Sequence, residues 1–235
     1  MISSNIRPPP ETFHPPTSSQ TKLMRYFYFG NPEWEQLDRR WRATFVNSLS
    51  GFKSAALIGT RSSEGQENVS IFSQIVHLGA APALLGIIFR PDSVERHTLS
   101  NLRDTGKATL NLIPSGQAAA AHQTSARYAA DFSEFKGAGL APAYIKGFEA
   151  PFVGESPVRA ALSLAEEHTL SINGTILVIC KLLWAEVPEE ILHADGYVDL
   201  AGAGILATNG LDAYHSTQLL GRYAYAKADQ SPRLL

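Results

Sequence analysis

Only one cysteine, Cys180, occurs in the chain, which excludes an internal disulfide framework and fits a reducing compartment. It lies inside the apolar run Ile176-Leu-Val-Ile-Cys-Lys-Leu-Leu183, where burial makes it a structural thiol rather than a nucleophile. Neither sign of charge is in excess. The 20 basic and 22 acidic residues leave a net charge of −2, and no basic stripe interleaves with aromatics, so nucleic acid is not an expected partner. No stretch approaches the ~18 apolar residues of a membrane span. A cytoplasmic protein without membrane association is therefore expected. Seven histidines (14, 77, 97, 122, 168, 193 and 215) are scattered without H-x₃-H spacing, and no metal is expected. A G-x-S-x-G elbow is missing, which argues against a serine hydrolase of the α/β type. A Walker A sequence is missing as well, and so is any internal repeat or inter-domain linker.

What remains is enough for a sizeable core: 44% of 235 residues are hydrophobic. Residues 1–20 hold five prolines and no continuous apolar stretch, and read as a draped tail rather than a signal peptide. The expected organisation is a flexible Pro-rich extension over 1–30 and a single domain over 31–235. Asn31-Pro32 marks a helix start, after which Trp34, Leu37, Trp41 and Phe45 repeat at helical spacing. Strands are predicted over 55–60, 68–76, 83–89 and 108–113, the first two paired through the Ser62-Ser63-Glu64-Gly65 turn. Pro91 ends the third, and Asp92 or Ser93 caps a short helix running to about Arg103. Helix is expected over 115–128 and a long loop with short helical pieces over 131–150. Asn173-Gly174 turns 158–170 into the strand 176–187 as a hairpin. Asp195-Gly196 marks a further turn, with a short strand over 197–200. The last stretch, 207–235, reads as loops with one or two helical turns. Hairpin-joined strands with few crossover helices imply antiparallel pairing and a closed or nearly closed barrel. Gly202-Ala-Gly204-Ile-Leu-Ala207 fits the relaxed dinucleotide pattern, but no strand–helix–strand unit surrounds it.

An anion site and a slot for a flat ring can be assembled from adjacent elements. Arg90 ends the third strand. Arg96, His97 and Thr98 open the next helix, whose N-terminus favours an anion, and Arg61 and Ser62 end the first strand. Asn68, Ser70, Phe72 and Ser73 alternate along one strand; backbone N–H groups near Ser70–Ser73 can meet a ring edge, and Gly59 admits a close backbone. The same residues also suit a capped surface helix with solvated arginines and a half-exposed strand. Spacing alone does not decide between the two.

The order of short motifs resembles the flavin reductase-like family. They are Gly59-Thr60-Arg61, Asn68 through Ser73, Pro82 before Leu84-Leu85-Gly86, and His97-Thr98-Leu-Ser-Asn101, followed by Asn111. Ser133-Glu134-Phe135 with Gly139-Leu140, Pro151 with Glu155-Ser156, and Leu211-Asp212-Ala213-Tyr214 continue it, so that the resemblance spans roughly 47–225. The chain departs from the common pattern at His97, where an acidic residue is frequent, and at Ala81, where a second proline is frequent. The resemblance implies a mainly β fold, an antiparallel split β-barrel of Greek-key type with flanking helices. It implies FMN at a homodimer interface, with NAD(P)H passing hydride to it and a small-molecule acceptor downstream. Cofactor-binding candidates are Gly59, Thr60, Arg61, Ser62, Asn68, Ser70, Ile71, Phe72, Ser73, Arg90, Arg96, His97, Thr98 and Asn101. His122, Tyr128 and Phe135 are candidates for the nicotinamide side. No protein nucleophile is needed, because the cofactor carries the chemistry. The alternative is an FMN-binding protein for storage or electron transfer without NAD(P)H turnover.

Overall fold

A computed structural model gives the structure of the chain and describes residues 28, 30, 33–91, 97–129 and 131–235. The Asn31-Pro32 helix start, the Asp92/Ser93 cap and all of the Pro-rich extension but 28 and 30 lie outside the described residues. The chain divides into two units, Met1–Arg39 and Arg40–Leu235. The first contains a short helix, α1 (Glu33–Gln36). The next, α2 (Arg39–Leu49), follows Asp38, a residue type favoured at helix N-caps. The continuous helix expected from Trp34 to Phe45 is thus broken at Leu37-Asp38. Trp41 and Phe45 stack along α2 with ring centres 5.0 Å apart.

Strands dominate the second unit. β1 (Lys53–Ser54), β2 (Ala56–Arg61), β3 (Glu67–Phe72), β4 (Ile75–Ala80) and β5 (Ala83–Phe89) precede α3 (His97–Thr105) and β6 (Lys107–Leu112). A 3₁₀ turn (Ser115–Gln117), α4 (Ala118–Gln123) and α5 (Glu134–Ala138) lead to two short strands, β7 (Pro142–Ala143) and β8 (Phe152–Val153). The long hairpin β9 (Arg159–Thr169) and β10 (Ile176–Glu186) follows, then β11 (Leu206–Asn209) and β12 (Ala213–Ser216). Seven strands form one sheet in the order β3-β2-β6-β9-β10-β5-β4, every pair antiparallel.

β3 and β4 are the two edges of that sheet, yet only Ser73-Gln74 lies between them in sequence. Two residues bridge flanking Cα atoms at most about 11 Å apart. The edges therefore lie side by side at that end, and the sheet curls into a barrel left open along one seam: a split barrel. Phe72 on β3 reaches across to Phe89 on β5, ring centres 4.8 Å apart. The single strand expected over 68–76 is two strands, β3 and β4, separated at Ser73-Gln74. Its alternation continues through the bend, but hydrogen-bond partners change from β2 to β5.

Burial follows the period-two alternation of β2. Ile58 faces the barrel interior with Phe89, Leu162, Val178 and Cys180, plugged by Leu99 and Leu102 of α3. Leu57 faces outward with Val69 and Ile113, covered by Phe135 of α5 and Leu140. Arg103 of α3 grips Glu167 of β9 with two bonds of 2.9 and 2.7 Å.

The hairpin at Asn173-Gly174 forms: Gly174 has φ +72°, and its N–H donates to the Leu170 carbonyl at 2.8 Å. The final stretch differs from expectation. Residues 206–209 and 213–216 are strands that pair with each other, the first also with β1, not helical turns. Four residues are too few to display a period. Residues 197–200 contribute only the isolated bridge Leu192–Val198, and the expected helix over 115–128 is the 3₁₀ turn plus α4. Gly202 and Gly204 lie in a turn entering β11 with no helix after it. Among the described residues no helix is long and apolar enough to cross a membrane.

Candidate functional site

Thr60 on β2 and Asn68 on β3 are direct cross-strand partners, so their side chains share the face that meets α3. The Asn68 amide oxygen accepts from Thr60 Oγ1 at 3.1 Å and from Thr98 Oγ1 at 2.9 Å, while its nitrogen donates to Glu134 Oε2 at 3.3 Å. Asn101 Nδ2 donates to the same Thr60 oxygen at 3.2 Å. All four side chains are buried. Buried polar groups are costly unless partnered, so this network fixes where α3 starts relative to the strands. Glu134 of α5 joins from outside: Val69 N–H donates to its Oε2 at 3.4 Å, and its side chain is 8% exposed. Burial pushes the Glu134 carboxyl above the usual carboxylate range, opposed by its own and the Val69 N–H and by His97.

Beside this network is a cavity of about 200 Å³ bounded by Asn68, His97, Ser100, Asn101, Phe132 and Glu134. A second cavity of about 460 Å³ lies at the β2–β3 turn, lined by Arg61, Ser62, Gly65, Thr105, Lys107 and Glu149. Ser62 and Glu64 border both. Lys107 pairs with Glu149. Arg61 Nε donates to the Gly65 carbonyl at 3.0 Å, and its guanidinium sits 5.8 Å from the centre of the Tyr144 ring. The Tyr144 hydroxyl donates to Glu67 at 2.7 Å; burial first, then Glu67, push it up to about 12.

The structure thus brings Thr60, Asn68, Thr98 and Asn101 into one network, with His97 at the adjoining cavity. Gly59 looks the other way. A Cβ there would collide with the Pro151 carbonyl, so the close backbone neighbour it admits is Pro151. Ser70 and Phe72 share the Asn68 face, whereas Ile71 packs into the outer core layer and Ser73 occupies the bend. Arg90 is exposed just past β5 and lines neither cavity; Arg96 lies outside the described residues. His122 is exposed, its Nδ1 2.9 Å from the Tyr214 hydroxyl. Tyr128 stacks on Phe132 at 5.3 Å and accepts from Gln123 at 2.8 Å, one ring removed from the smaller cavity. Phe135 is 1% exposed inside the core and has no face free for a ligand. Glu134, Ser100 and Phe132 are additional wall residues. Glu134 meets Val69 sixty-five residues away, a contact no local pattern reveals.

Ser133 Oγ, between Phe132 and Glu134 in sequence, is buried without a hydrogen-bond partner among the described residues. Amides and hydroxyls along the cavity wall, with a stacked aromatic pair at its edge, suit a ligand that joins a flat ring to a polar tail. A flavin nucleotide has that form.

A family model described as the flavin reductase like domain matches residues 50–201. A protein from Shewanella frigidimarina, assigned as a flavin reductase with a split barrel domain, is 44% identical with a TM-score of 0.82. The match covers 86% of this chain and 100% of that one. Nitrilotriacetate monooxygenase component B from Bacillus cereus is similar in fold at 19% identity and a TM-score of 0.74, covering 85% and 100%. An FMN-binding protein from Thermus thermophilus is similar at 19% identity and 0.62, covering 82% and 95%. No curated protein matches the chain.

Proposed function

The chain belongs to the flavin reductase-like family and is an oxidoreductase that works with a flavin; from that premise we propose that it holds FMN against β3 and the start of α3 and reduces it with NAD(P)H. The observation that carries this reading is the buried Thr60–Asn68–Thr98–Asn101 network, which fixes the Asn68 and Asn101 amides on the cavity wall. When bound, FMN supplies the redox chemistry as the acceptor of hydride from the nicotinamide. The protein's own work is binding and alignment. Thr98, His97, Arg90 and Arg96 take the phosphate end, and the β3 backbone from Ser70 to Ser73 takes the ring edge. Tyr128 and His122 stand on the nicotinamide side. A second copy of the chain completes the site, and apolar side chains exposed on α2 and β4, among them Val46, Leu49, Val76 and Leu78, favour such pairing.

The test is anaerobic stopped-flow on the purified protein loaded with FMN. Flavin absorbance that bleaches with NADH or NADPH supports the reductase. A yellow protein that neither nucleotide bleaches within minutes leaves an FMN-binding electron carrier. A protein that takes up no FMN removes the reading altogether.

A further inference from the structure

The larger cavity, of about 460 Å³, has no part in the function proposed above, and its size falls within the ~300–1,000 Å³ of small-molecule sites. One wall is the β2–β3 turn, which three bonds hold in shape. Ser62 N–H donates to the Gln66 carbonyl at 2.9 Å, Gly65 N–H to the Ser62 carbonyl at 3.0 Å, and Gln66 N–H to Ser62 Oγ at 3.0 Å. The N–H groups of Ser63 and Glu64, both on that wall, have no acceptor among the described residues.

Arg61 and Lys107 are the cations of the cavity, Glu64 and Glu149 its carboxylates. The four are not equivalent. Lys107 is paired with Glu149. Arg61 has no carboxylate partner among the described residues. Its Nε donates to the Gly65 carbonyl at 3.0 Å, while Glu67, directly opposite on β3, accepts from the Tyr144 hydroxyl at 2.7 Å. Gly65 leaves the room that Arg61 occupies, since a Cβ there would lie 3.0 Å from Arg61 Nη2. The two Nη groups remain to grip an anion, and a planar fork of donors suits phosphate. The Glu64 carboxylate likewise has neither hydrogen bond nor ion pair among the described residues. An acidic side chain close to a phosphate seat accepts the hydroxyls of a ribose.

We propose that this cavity seats the adenosine phosphate half of a dinucleotide, with Arg61 on the phosphate and Glu64 on the ribose. Ser62 and Glu64 border both cavities, so a dinucleotide seated here extends its other half toward the smaller one. On the function proposed above, on which this placement rests, that other half lies at the flavin site. Adenosine phosphate arrives there in two forms, as half of NAD(P)H or as the outer half of FAD. The side chains that recognise it are the same in both.

Calorimetric titration of the flavin-free full chain compares adenosine with adenosine monophosphate. The monophosphate binds about tenfold more tightly, as expected for one charge-assisted bond. Arg61→Ala removes that preference, and Arg61→Lys, which keeps the charge without the fork, returns part of it. Equal binding of the two probes, no binding of either at millimolar concentration, or a preference that survives Arg61→Ala overturns the proposal. Two further readouts separate the sources. With FAD as the occupant, the wild type binds FAD more tightly than FMN, and Arg61→Ala narrows that margin about tenfold. With NAD(P)H as the occupant, Arg61→Ala raises the KM for the nicotinamide dinucleotide about tenfold, and FAD holds no margin over FMN. A flavin-loaded variant that changes neither quantity overturns the proposal. A chain whose monophosphate binding needs Arg61 but which takes up no flavin upholds the seat and removes the flavin reading instead.

Discussion

Replacing Gly59 by alanine adds one methyl group in a place already filled. The new Cβ would collide with the Pro151 carbonyl oxygen and lie 2.6 Å from Thr109 Oγ1. Since Cβ atoms essentially never approach a neighbour within 3.0 Å, Thr109 would have to withdraw by at least 0.4 Å (3.0 − 2.6), and Pro151 further. Neither moves freely. Thr109 Oγ1 donates to that carbonyl at 2.6 Å and accepts from Asn111 Nδ2 at 2.9 Å, all inside the core. Overpacking of this kind costs about 1–3 kcal/mol, and losing the buried Thr109–Pro151 bond adds about 1 kcal/mol. The sum is roughly 2–4 kcal/mol, which in a domain of this size lowers the unfolding midpoint by roughly 10 °C. Differential scanning calorimetry of flavin-free wild type and Gly59→Ala reads the difference. A variant within about 0.5 kcal/mol of wild type, the range of an ordinary surface substitution, would refute the argument, because the 151–153 segment would then have shifted without cost.

Asn111→Ala strips Val153 N–H and the Leu57 carbonyl of their buried partner. The expected loss is about 2–5 kcal/mol in urea unfolding, and a loss under about 1 kcal/mol counts against it. For Glu134 the sign follows from burial: its folded pKa is raised above the unfolded 4.5. Below 4.5 both states are protonated and nothing is lost; as pH rises from there through the folded pKa, the charged form penalises the native state. Glu134→Gln therefore gains stability relative to wild type as pH increases, and parallel stability curves for the two proteins would contradict this. Burial pushes the Cys180 thiol up to about 12, so it should resist a thiol-selective disulfide reagent until denaturant is added. Prompt reaction of the native protein would mean that β10 opens readily.

Much of the barrel was readable because its signals are local. Asn173-Gly174 announces the β9–β10 hairpin, and the apolar run from Ala83 to Phe89 coincides with β5. The division of 68–76 into β3 and β4 was not readable, because side-chain alternation has the same period whichever strand lies alongside. Pairing partners are a tertiary property, and only the closure of the sheet selects them. The site shows the same divide. The resemblance singles out Thr60, Asn68, Thr98 and Asn101, which meet in space. Arg90 and His122, chosen for their chemistry, stand outside that network. Glu134 sits within a quoted motif, but its contact with Val69 depends on how α5 docks across the outer core layer.

Ser73-Gln74 acts as a tether of fixed length between the two rims of a rolled sheet. The gape of the crevice is therefore counted in residues rather than set by the bulk of the walls. One glycine inserted into the tether lets the rims part by up to about 3.5 Å while every strand keeps its partners. Evolution or an engineer wishing to admit a bulkier guest has in those two positions a control whose cost falls on the Phe72–Phe89 contact across the seam.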